Sequence, residues 1–272
     1  MNSKKIKIII FILIALSSTI GLIISGINVF NWYQDSLNIE KEMDEIKKLI
    51  EVNEIEDSQN IEIIEQIEQI PKENPYWDYI KMNLINVDFN ELITKNEDTK
   101  GWLQVSGTNI NYPFVQTGDN DYYLTHSFNK KINSAGWVFM DYRNNINNLG
   151  KNTILYAHGR LDNTMFGSLK NILTSGWLNT PNNFVVKTST ATENSLWQVF
   201  SVYKIPTTND YIQTDFYSDE EFLNLANKLI SRSAHNFNTT INAFDKILTL
   251  STCYNDDEKV VLHAKLIKQE KR

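Results

Sequence analysis

The sequence has very little cysteine and histidine: Cys253 is the only cysteine in 272 residues, and there are four histidines. A single cysteine excludes an intramolecular disulfide, so the thiol is free and the fold depends on its hydrophobic core. The CxxC and HExxH spacings that are typical of zinc sites do not occur. We therefore predict no metal site and no cofactor.

An excess of basic residues is also lacking. The chain has 26 Lys and Arg against 33 Asp and Glu, a formal net charge of −7. Because a nucleic-acid-binding surface needs a basic face, we predict no nucleic-acid partner. The hydrophobic content of 42% and aromatic content of 11% are sufficient for a core. Without its N-terminal region the chain keeps roughly 190 residues, the size of one domain.

One long uncharged run, residues 8–30, follows a cluster of three lysines at residues 4–7. As a helix this run is long enough to cross a hydrocarbon core of about 30 Å. Trp32 and Tyr33 follow it, where an interfacial aromatic belt lies. The positive-inside rule predicts a cytoplasmic N-terminus and an extracellular remainder. Residues 1–34 are therefore predicted to form a cytoplasmic stub and a single-pass anchor in the cell membrane; a cleaved signal peptide is the alternative.

Residues 35–76 are acidic and almost free of aromatic residues, and two prolines lie near their end. Apolar residues recur there at helical spacing in two stripes, Ile39, Met43, Ile46 and Ile50, and then Ile61, Ile64, Ile67 and Ile70. We predict a solvated helical stalk that holds the following domain away from the membrane. A self-associating coiled coil is the alternative.

Residues 77–272 are predicted to form the single folded domain. Its first twenty residues, 77–96, have the pattern of one or two amphipathic helices, and short β-rich runs separated by turn residues follow. A capping box at Ser218 and Glu221 predicts one helix among the last strands, with Phe222, Leu225, Ala226, Leu229 and Ile230 on its apolar face. The pattern predicts a mainly β fold, a closed barrel or a sandwich, with strands at 101–106, 110–115, 136–141, 152–157, 183–189, 195–205, 246–252 and 259–268.

Two reactive side chains end predicted strands. Cys253 ends the run 246–253, and His158 ends the run 152–158. A thiol and an imidazole are the components of a cysteine nucleophile and its proton partner. A lone cysteine is also often a small buried hydrophobic residue, and the pattern alone leaves this alternative open.

The segments around both residues resemble the sortase family, and class B most closely. The Cys253 strand with 259–266 is similar to the active-site end of a sortase, and 152–159 to its histidine strand. Further segments match class B in the same order, at 101–103, 107–113, 121–126, 139–144 and 165–169. The resemblance covers about residues 77–268. It implies an eight-stranded β-barrel cysteine transpeptidase on the outside of a Gram-positive cell.

This resemblance also implies the reaction and the partners. A sortase cleaves a sorting signal near the C-terminus of a secreted protein and holds the acyl group on its cysteine. It then transfers that group to an amine of a cell-wall precursor or to a pilin lysine. The signals of the class are of the Asn-Pro-x-Thr or Ser/Asn/Pro-Pro-x-Thr-Gly type. A weakly active or non-catalytic binding module, a pilin-polymerising sortase and a plain cysteine peptidase are the alternatives.

The chain differs from the family at the third catalytic position. Sortases have an arginine at the start of the last strand, and Lys259 occupies this position here. A lysine supplies a positive charge without the planar fork of arginine, so the resemblance implies reduced or narrowly tuned activity. A solvated lysine or one paired with the acidic loop before it is the alternative, and Arg143 and Arg160 are other candidate cations.

The remaining candidates surround the Cys253 strand. We predict that a substrate groove runs beside it, with Ser251, Thr252, His126, Tyr211 and Ile212 as substrate-binding residues. Ordinary packing is the alternative for each of them. The two other histidines, His235 and His263, are predicted to be structural.

Overall fold

The computed structural model describes residues 3–55, 61–64, 70–253 and 257–272. The helices are α1 Ser3–Leu49, α2 Tyr76–Tyr79, α3 Asn90–Lys95, α4 Ser175–Leu178 and α5 Asp219–Arg232, with short 3-10 helices at Tyr122–Leu124, Gly167–Leu173 and Pro181–Asn183. The strands are β1 Val52–Ile55, β2 Ile61–Ile63, β3 Leu84–Val87, β4 Thr99–Val105, β5 Asn111–Val115, β6 Phe139–Met140, β7 Asn152–Tyr156, β8 Val185–Thr190, β9 Glu193–Pro206, β10 Ile247–Cys253 and β11 Glu258–Lys271.

Eight of these strands close into a barrel. They follow the order β10-β7-β6-β5-β4-β8-β9-β11, and β11 also pairs with β10, which closes the ring. All eight strands predicted from the sequence are present, with bounds that differ by a few residues. The fold class is therefore confirmed as a mainly β, closed eight-stranded barrel. Apolar β-rich runs between turn clusters were sufficient to locate the strands, although β8, β9, β10 and β11 are buried on both faces over most of their length. The closed barrel itself was implied by the resemblance to the sortase family.

The barrel interior is filled with large side chains. Trp102, Trp137 and Trp197 are at most 1% exposed and belong to one continuous core cluster. The Trp137 indole N–H donates to the Pro113 carbonyl, and that of Trp197 to the Thr188 hydroxyl, so the polar atoms of these buried rings are satisfied. A core of this kind holds the strand ends at the rim in fixed positions.

The predicted helix after Ser218 is α5, between β9 and β10. The Ser218 hydroxyl accepts from the Glu221 N–H at 3.2 Å, while the Glu221 carboxylate accepts from the N–H of Tyr217. The cap is thus shifted by one residue from the reciprocal pairing of a capping box. The buried face of α5 is the predicted one except for Ile230, which is half-buried, and it belongs to a second core cluster on the barrel.

The predicted stalk differs from the observed structure. Residues 35–49 are helical, but they continue α1 and pack on the barrel, with Ile39, Met43 and Ile46 at most 6% exposed. Polar contacts also hold this part of α1, since the Glu42 carboxylate accepts from the Ser127 hydroxyl at 2.8 Å. The stripe predicted the helix correctly, but periodicity does not show what covers an apolar face. A solvated spacer is therefore wrong for residues 35–49.

Between residues 50 and 75 the described part of the predicted stalk is not helical. The strand β1 pairs with β3, and β2 extends the sheet along the C-terminal part of β11. Ile67, part of the second predicted stripe, lies outside the described residues. The pairing partners of these short strands are distant in sequence, so local helical spacing was misleading. For the same reason 77–96 contains β3 between the two short helices α2 and α3.

The first part of α1 is long and apolar enough to cross a membrane, and none of its most apolar window is buried in the protein. It is the only such helix among the residues that the structure describes. We propose that the folded unit begins near residue 35 and that the anchor and the domain share one helix.

Burial of α1 predicts that its second half contributes to the stability of the domain. Ile46→Ala should lower the free energy of unfolding by about 2–5 kcal/mol, because it leaves a cavity at a fully buried position. Leu37→Ala, on the same helix but 40% exposed, should change it by less than about 0.5 kcal/mol. Urea unfolding of the full chain in mild detergent, followed by tryptophan fluorescence, measures both. Equal effects of the two substitutions would contradict the docking of α1.

Candidate active site

Cys253 and His158 lie at the carboxyl ends of two neighbouring parallel strands. β10 pairs with β7 in register, with Ser251 opposite Tyr156. Two residues further, the same register brings Cys253, the last residue of β10, level with His158, just after β7. Residues at the same level of parallel strands point to the same face of a sheet. The two predicted catalytic residues are therefore neighbours at one rim of the barrel.

Two contacts beside these residues keep the strand ends together. The Thr252 hydroxyl donates to the Ala157 carbonyl at 2.7 Å and links the chain before Cys253 to the chain before His158. The backbone of Gly159 lies directly against Cys253, because a Cβ at Gly159 would overlap the Cys253 carbonyl oxygen. Only glycine allows the two backbones to approach this closely.

Lys259 contacts Cys253 from the opposite side. β11 is antiparallel to β10, with Lys259 opposite Cys253, and its Nζ donates to the Cys253 Sγ at 2.9 Å. Both side chains are half-buried. The neighbouring acidic residue Glu258 forms its ion pair with Lys204, at 2.8 Å. A positive charge therefore adjoins the sulfur, an arrangement that stabilises a thiolate.

The imidazole of His158 is held by a backbone carbonyl. Its Nε2 lies 2.8 Å from the carbonyl oxygen of Leu124. Because a carbonyl oxygen only accepts, Nε2 carries the proton in this contact, and Nδ1 is the ring nitrogen that can exchange one. Among the contacts of the described residues there is no hydrogen bond between this imidazole and the Cys253 sulfur. The ring is thus placed beside the sulfur rather than bonded to it.

The two alternative cations are fixed elsewhere. Arg143 forms a bidentate pair with Asp141, with N–O distances of 2.8 and 2.7 Å. Burial tends to raise the pKa of Asp141, but hydrogen bonds from Arg143 and Tyr156 outweigh it and leave the pKa lowered. Arg160 pairs with Asp162 at 3.0 Å. Among the described residues, no hydrogen bond or ion pair connects either guanidinium to Cys253.

Three of the predicted substrate-binding residues have internal partners. Ser251 and Tyr211 are at most 5% exposed, and their hydroxyls are 2.8 Å apart. Thr252 is 4% exposed and bonded to Ala157. The hydrogen bonds of these three side chains are made within the protein. The side chains would have to leave these partners before they could contact a substrate. Their role in substrate binding stays a prediction.

The other two predicted groove residues are half-buried. Ile212 packs against the second core cluster, and its carbonyl accepts from Arg143. The His126 ring stacks on the Tyr122 ring, with 4.1 Å between the ring centres, and its Nδ1 lies 2.9 Å from the Tyr122 carbonyl oxygen. Because His126 follows Leu124 by two residues, it lies on the segment that holds His158.

A buried polar layer beneath β10 was missed by the sequence analysis. His263 is fully buried, with Nε2 2.8 Å from the Tyr203 hydroxyl and Nδ1 2.9 Å from the Thr249 hydroxyl. Burial lowers the pKa of His263 to about 3, so the ring is neutral at physiological pH. His263 was correctly predicted to be structural, but its partners are distant in sequence and no local pattern indicates them. The Leu124 carbonyl was missed because any residue supplies one.

His235 is also structural in its contacts, since its ring packs on Phe184 and Phe237. Among the described residues there is no group of three or more His, Cys, Asp or Glu side chains placed to hold a metal ion.

The close approach of Gly159 to Cys253 gives a direct test of this arrangement. Gly159→Ala should lower the free energy of unfolding by about 1–3 kcal/mol, because the added methyl group forces two backbones apart. It should also slow the reaction of Cys253 with a methanethiosulfonate reagent at neutral pH. Gly176→Ala, in helix α4, where the added carbon meets open space, should lower neither quantity. A normal labelling rate in Gly159→Ala would show that the sulfur does not depend on this contact.

Comparisons with known proteins agree with this geometry. Residues 103–267 match the family model of the sortase domain. The chain is 36% identical over 188 residues to sortase B of Staphylococcus aureus strain NCTC 8325 / PS 47. The aligned region covers 68% of this chain and 76% of that protein.

Two solved structures are also similar. One is the crystal structure of sortase B from Bacillus anthracis in complex with AAEK1, with a TM-score of 0.68, 34% identity, and coverage of 87% of this chain and 99% of that one. The other is a sortase B complexed with triglycine, with a TM-score of 0.63, 35% identity, and coverage of 66% and 85%. The chain belongs to the sortase family, as a class B sortase, and is a cysteine transpeptidase.

Proposed function

We propose that this sortase is anchored in the membrane by α1 and cleaves a C-terminal sorting signal of secreted proteins through a thioester on Cys253. The acyl group is then transferred to an amine of a cell-wall precursor. The observation that supports this proposal most directly is the contact of 2.9 Å between Lys259 Nζ and Cys253 Sγ, at the rim where His158 also lies. It places a cation against the only thiol of the chain.

In the first half of the reaction the Cys253 thiolate attacks the carbonyl carbon of the scissile peptide bond. The electron pair of the C=O bond moves to oxygen and forms an oxyanion. When this intermediate collapses, the C–N bond breaks, and the leaving amine takes from His158 Nδ1 the proton that the Cys253 thiol had given to it. The product is a Cys253 thioester and a neutral imidazole.

The second half reverses these proton movements. The incoming amine attacks the thioester carbonyl and gives its proton to His158, and the C–S bond breaks to restore the thiolate. The hydrogen bond of Nε2 to Leu124 keeps the ring in one orientation in both halves. Because the thioester retains the energy of the peptide bond, no nucleotide is needed. The sortase B complexed with triglycine, a peptide that carries a free amine, supports an amine acceptor.

Lys259 would have two roles in this cycle. Before attack its ammonium group stabilises the thiolate, and after attack it is the nearest described cation for the developing oxyanion. An ammonium group is a point charge with three rotatable donors, whereas the guanidinium of the family arginine is a planar fork. One ammonium group therefore has to shift from sulfur to oxygen during the reaction, which is the physical reason for reduced or narrowly tuned activity.

The proposed topology follows from the charge around the apolar run. The lysines before residue 8 keep the N-terminus in the cytoplasm, so the barrel lies on the outside, where a sorting signal would emerge. The signal would be of the Asn-Pro-x-Thr or Ser/Asn/Pro-Pro-x-Thr-Gly type. It would bind beside β10, with His126 and Ile212 as the half-buried candidates for contact. A pilin lysine is the alternative acceptor.

One observation favours a second candidate function. Lys259 replaces the family arginine, and a barrel that has lost efficient chemistry would act as a membrane-tethered binding module for the same peptides. The test is mass spectrometry of the full chain in detergent with a panel of sorting peptides, with and without triglycine. We expect a Cys253 acyl adduct that triglycine converts to an aminolysed product. A hydrolysed product regardless of amine would indicate a peptidase, and the absence of any adduct would favour the binding module.

A shorter soluble fragment for such work should begin near residue 31 rather than residue 77. The fragment 77–272 would lack β1, which pairs with β3, β2, which pairs with β11, and the buried part of α1.

The role of Lys259 is tested by substitution. Lys259→Ala should lower kcat by roughly a hundredfold or more, the usual loss for one oxyanion donor. Lys259→Arg should retain or increase kcat, because the fork can contact sulfur and oxygen together. Steady-state transpeptidation of a sorting peptide with triglycine measures both. Lys81→Ala, an exposed lysine outside the barrel strands, is the control and should stay within about twofold. Unchanged turnover in Lys259→Ala, with none in Cys253→Ala, would exclude this role.

A further inference from the structure

Two large apolar side chains stand out at the tips of loops near the membrane end of α1. Ile132 is 85% exposed and Leu161 is 84% exposed. Burial of such side chains is favourable. A single exposed apolar residue is common on a protein surface, but two on loops that contact the same part of α1 indicate a contact surface. Leu161 lies three residues after His158, so its loop is an extension of the candidate active site.

Both loops are tied to adjacent residues of α1. In the first loop, the Ser134 N–H donates to the Asp35 carboxylate at 3.0 Å, and the Asn133 side chain donates to the Asp35 carbonyl. In the second loop, Arg160 Nη2 donates to the Ser36 hydroxyl at 2.6 Å. The two loops are therefore held at adjacent positions of the helix, next to the tip residues Ile132 and Leu161.

This level is the end of the proposed membrane span. The Arg160 guanidinium lies 5.0 Å from the centre of the Trp32 ring, in the predicted aromatic belt. From Trp32 to Ser36 the helix rises only about 6 Å, at 1.5 Å per residue. The headgroup region on each side of a bilayer is about 5–7 Å thick. Loops attached to Asp35 and Ser36 therefore reach the lipid headgroups.

Both tips have a fixed conformation. An isolated bridge joins His126 to Ile132 in the first loop, and another joins Gly159 to Met165 in the second. Each loop also contains a non-glycine residue with positive φ, Lys130 at 59° and Asn163 at 63°. Preformed tips lose little conformational freedom when they bind a surface.

We propose that Ile132 and Leu161 form a membrane edge, a pair of apolar tips that insert into the interfacial region of the bilayer that α1 spans. The partner is the lipid surface itself. This proposal goes beyond the transpeptidase activity, but it depends on the proposed membrane span of α1. With α1 it makes three points of attachment, which fix the tilt of the barrel and keep the His158 loop at the membrane surface.

The test uses the full chain in vesicles of phosphatidylcholine and phosphatidylglycerol. Single cysteines are introduced by Leu161→Cys and Ile132→Cys in a Cys253→Ala background and labelled with an environment-sensitive fluorophore. Quenching by lipids that carry a spin label at the headgroup level is then measured. We expect a blue-shifted emission and strong quenching at both positions.

Two further labels separate the possible outcomes. Phe244→Cys is the matched control, since Phe244 is 83% exposed and precedes β10, at the barrel end opposite Cys253; it should not be quenched. Ile20→Cys, in the apolar run, should be quenched by lipids labelled deep in the acyl chains. If Ile20 is quenched but Leu161 and Ile132, like Phe244, are not, the membrane span holds and only the membrane edge is overturned.

The absence of quenching at Ile20 would instead overturn the membrane span, and with it the edge. A third outcome is a blue shift at Leu161 and Ile132 without lipid quenching. If that blue shift disappears when the protein is diluted in the vesicles, the two side chains contact a second copy, and the proposal is overturned.

Discussion

The site depends on the position of β10 between a parallel β7 and an antiparallel β11. Because β7 and β10 run in the same direction, their carboxyl ends meet at one rim, and they bring His158 level with Cys253. Because β11 runs in the opposite direction, its beginning lies at the same rim and brings Lys259 to the sulfur. The β7–β10 pairing thus brings the imidazole to the thiol, and the β10–β11 pairing that closes the barrel adds the cation.

The layers around this rim hold it in place. Thr252 and Gly159 keep the ends of β10 and β7 in contact, while Ser251 and Thr249 connect β10 to buried hydroxyl and imidazole groups beneath it. His263 is neutral in this layer, and the described cation that contacts the sulfur is Lys259. A polar layer that is satisfied internally positions a reactive group without competing for its protons.

The N-terminal helix belongs to the same structural unit as the barrel. Ile39, Met43 and Ile46 are buried in the core cluster, and Asp35 and Ser36 bind the loops that contain Ile132 and Leu161. A helix that crosses a membrane and then packs on a domain transmits its orientation to that domain. The distance and tilt of the active-site rim relative to the lipid would then be properties of the fold, and no flexible spacer sets them.

The sequence by itself determined the local structure and the reactive groups. Apolar β-rich runs between turn clusters have a strong signal, so the eight barrel strands and α5 could be predicted. The strand ends indicated Cys253 and His158 as candidates, whereas Lys259 was a candidate through the resemblance to the sortase family. Only the tertiary structure decided what covers each face and which atoms pair. The burial of α1, the pairing of β1 and β2, the bond of His158 to the Leu124 carbonyl and the internal partners of Ser251 and Tyr211 join residues far apart in the chain. The apolar stripe of α1 does not show which surface covers it. A backbone carbonyl or a buried hydroxyl has no local sequence signal for its partner.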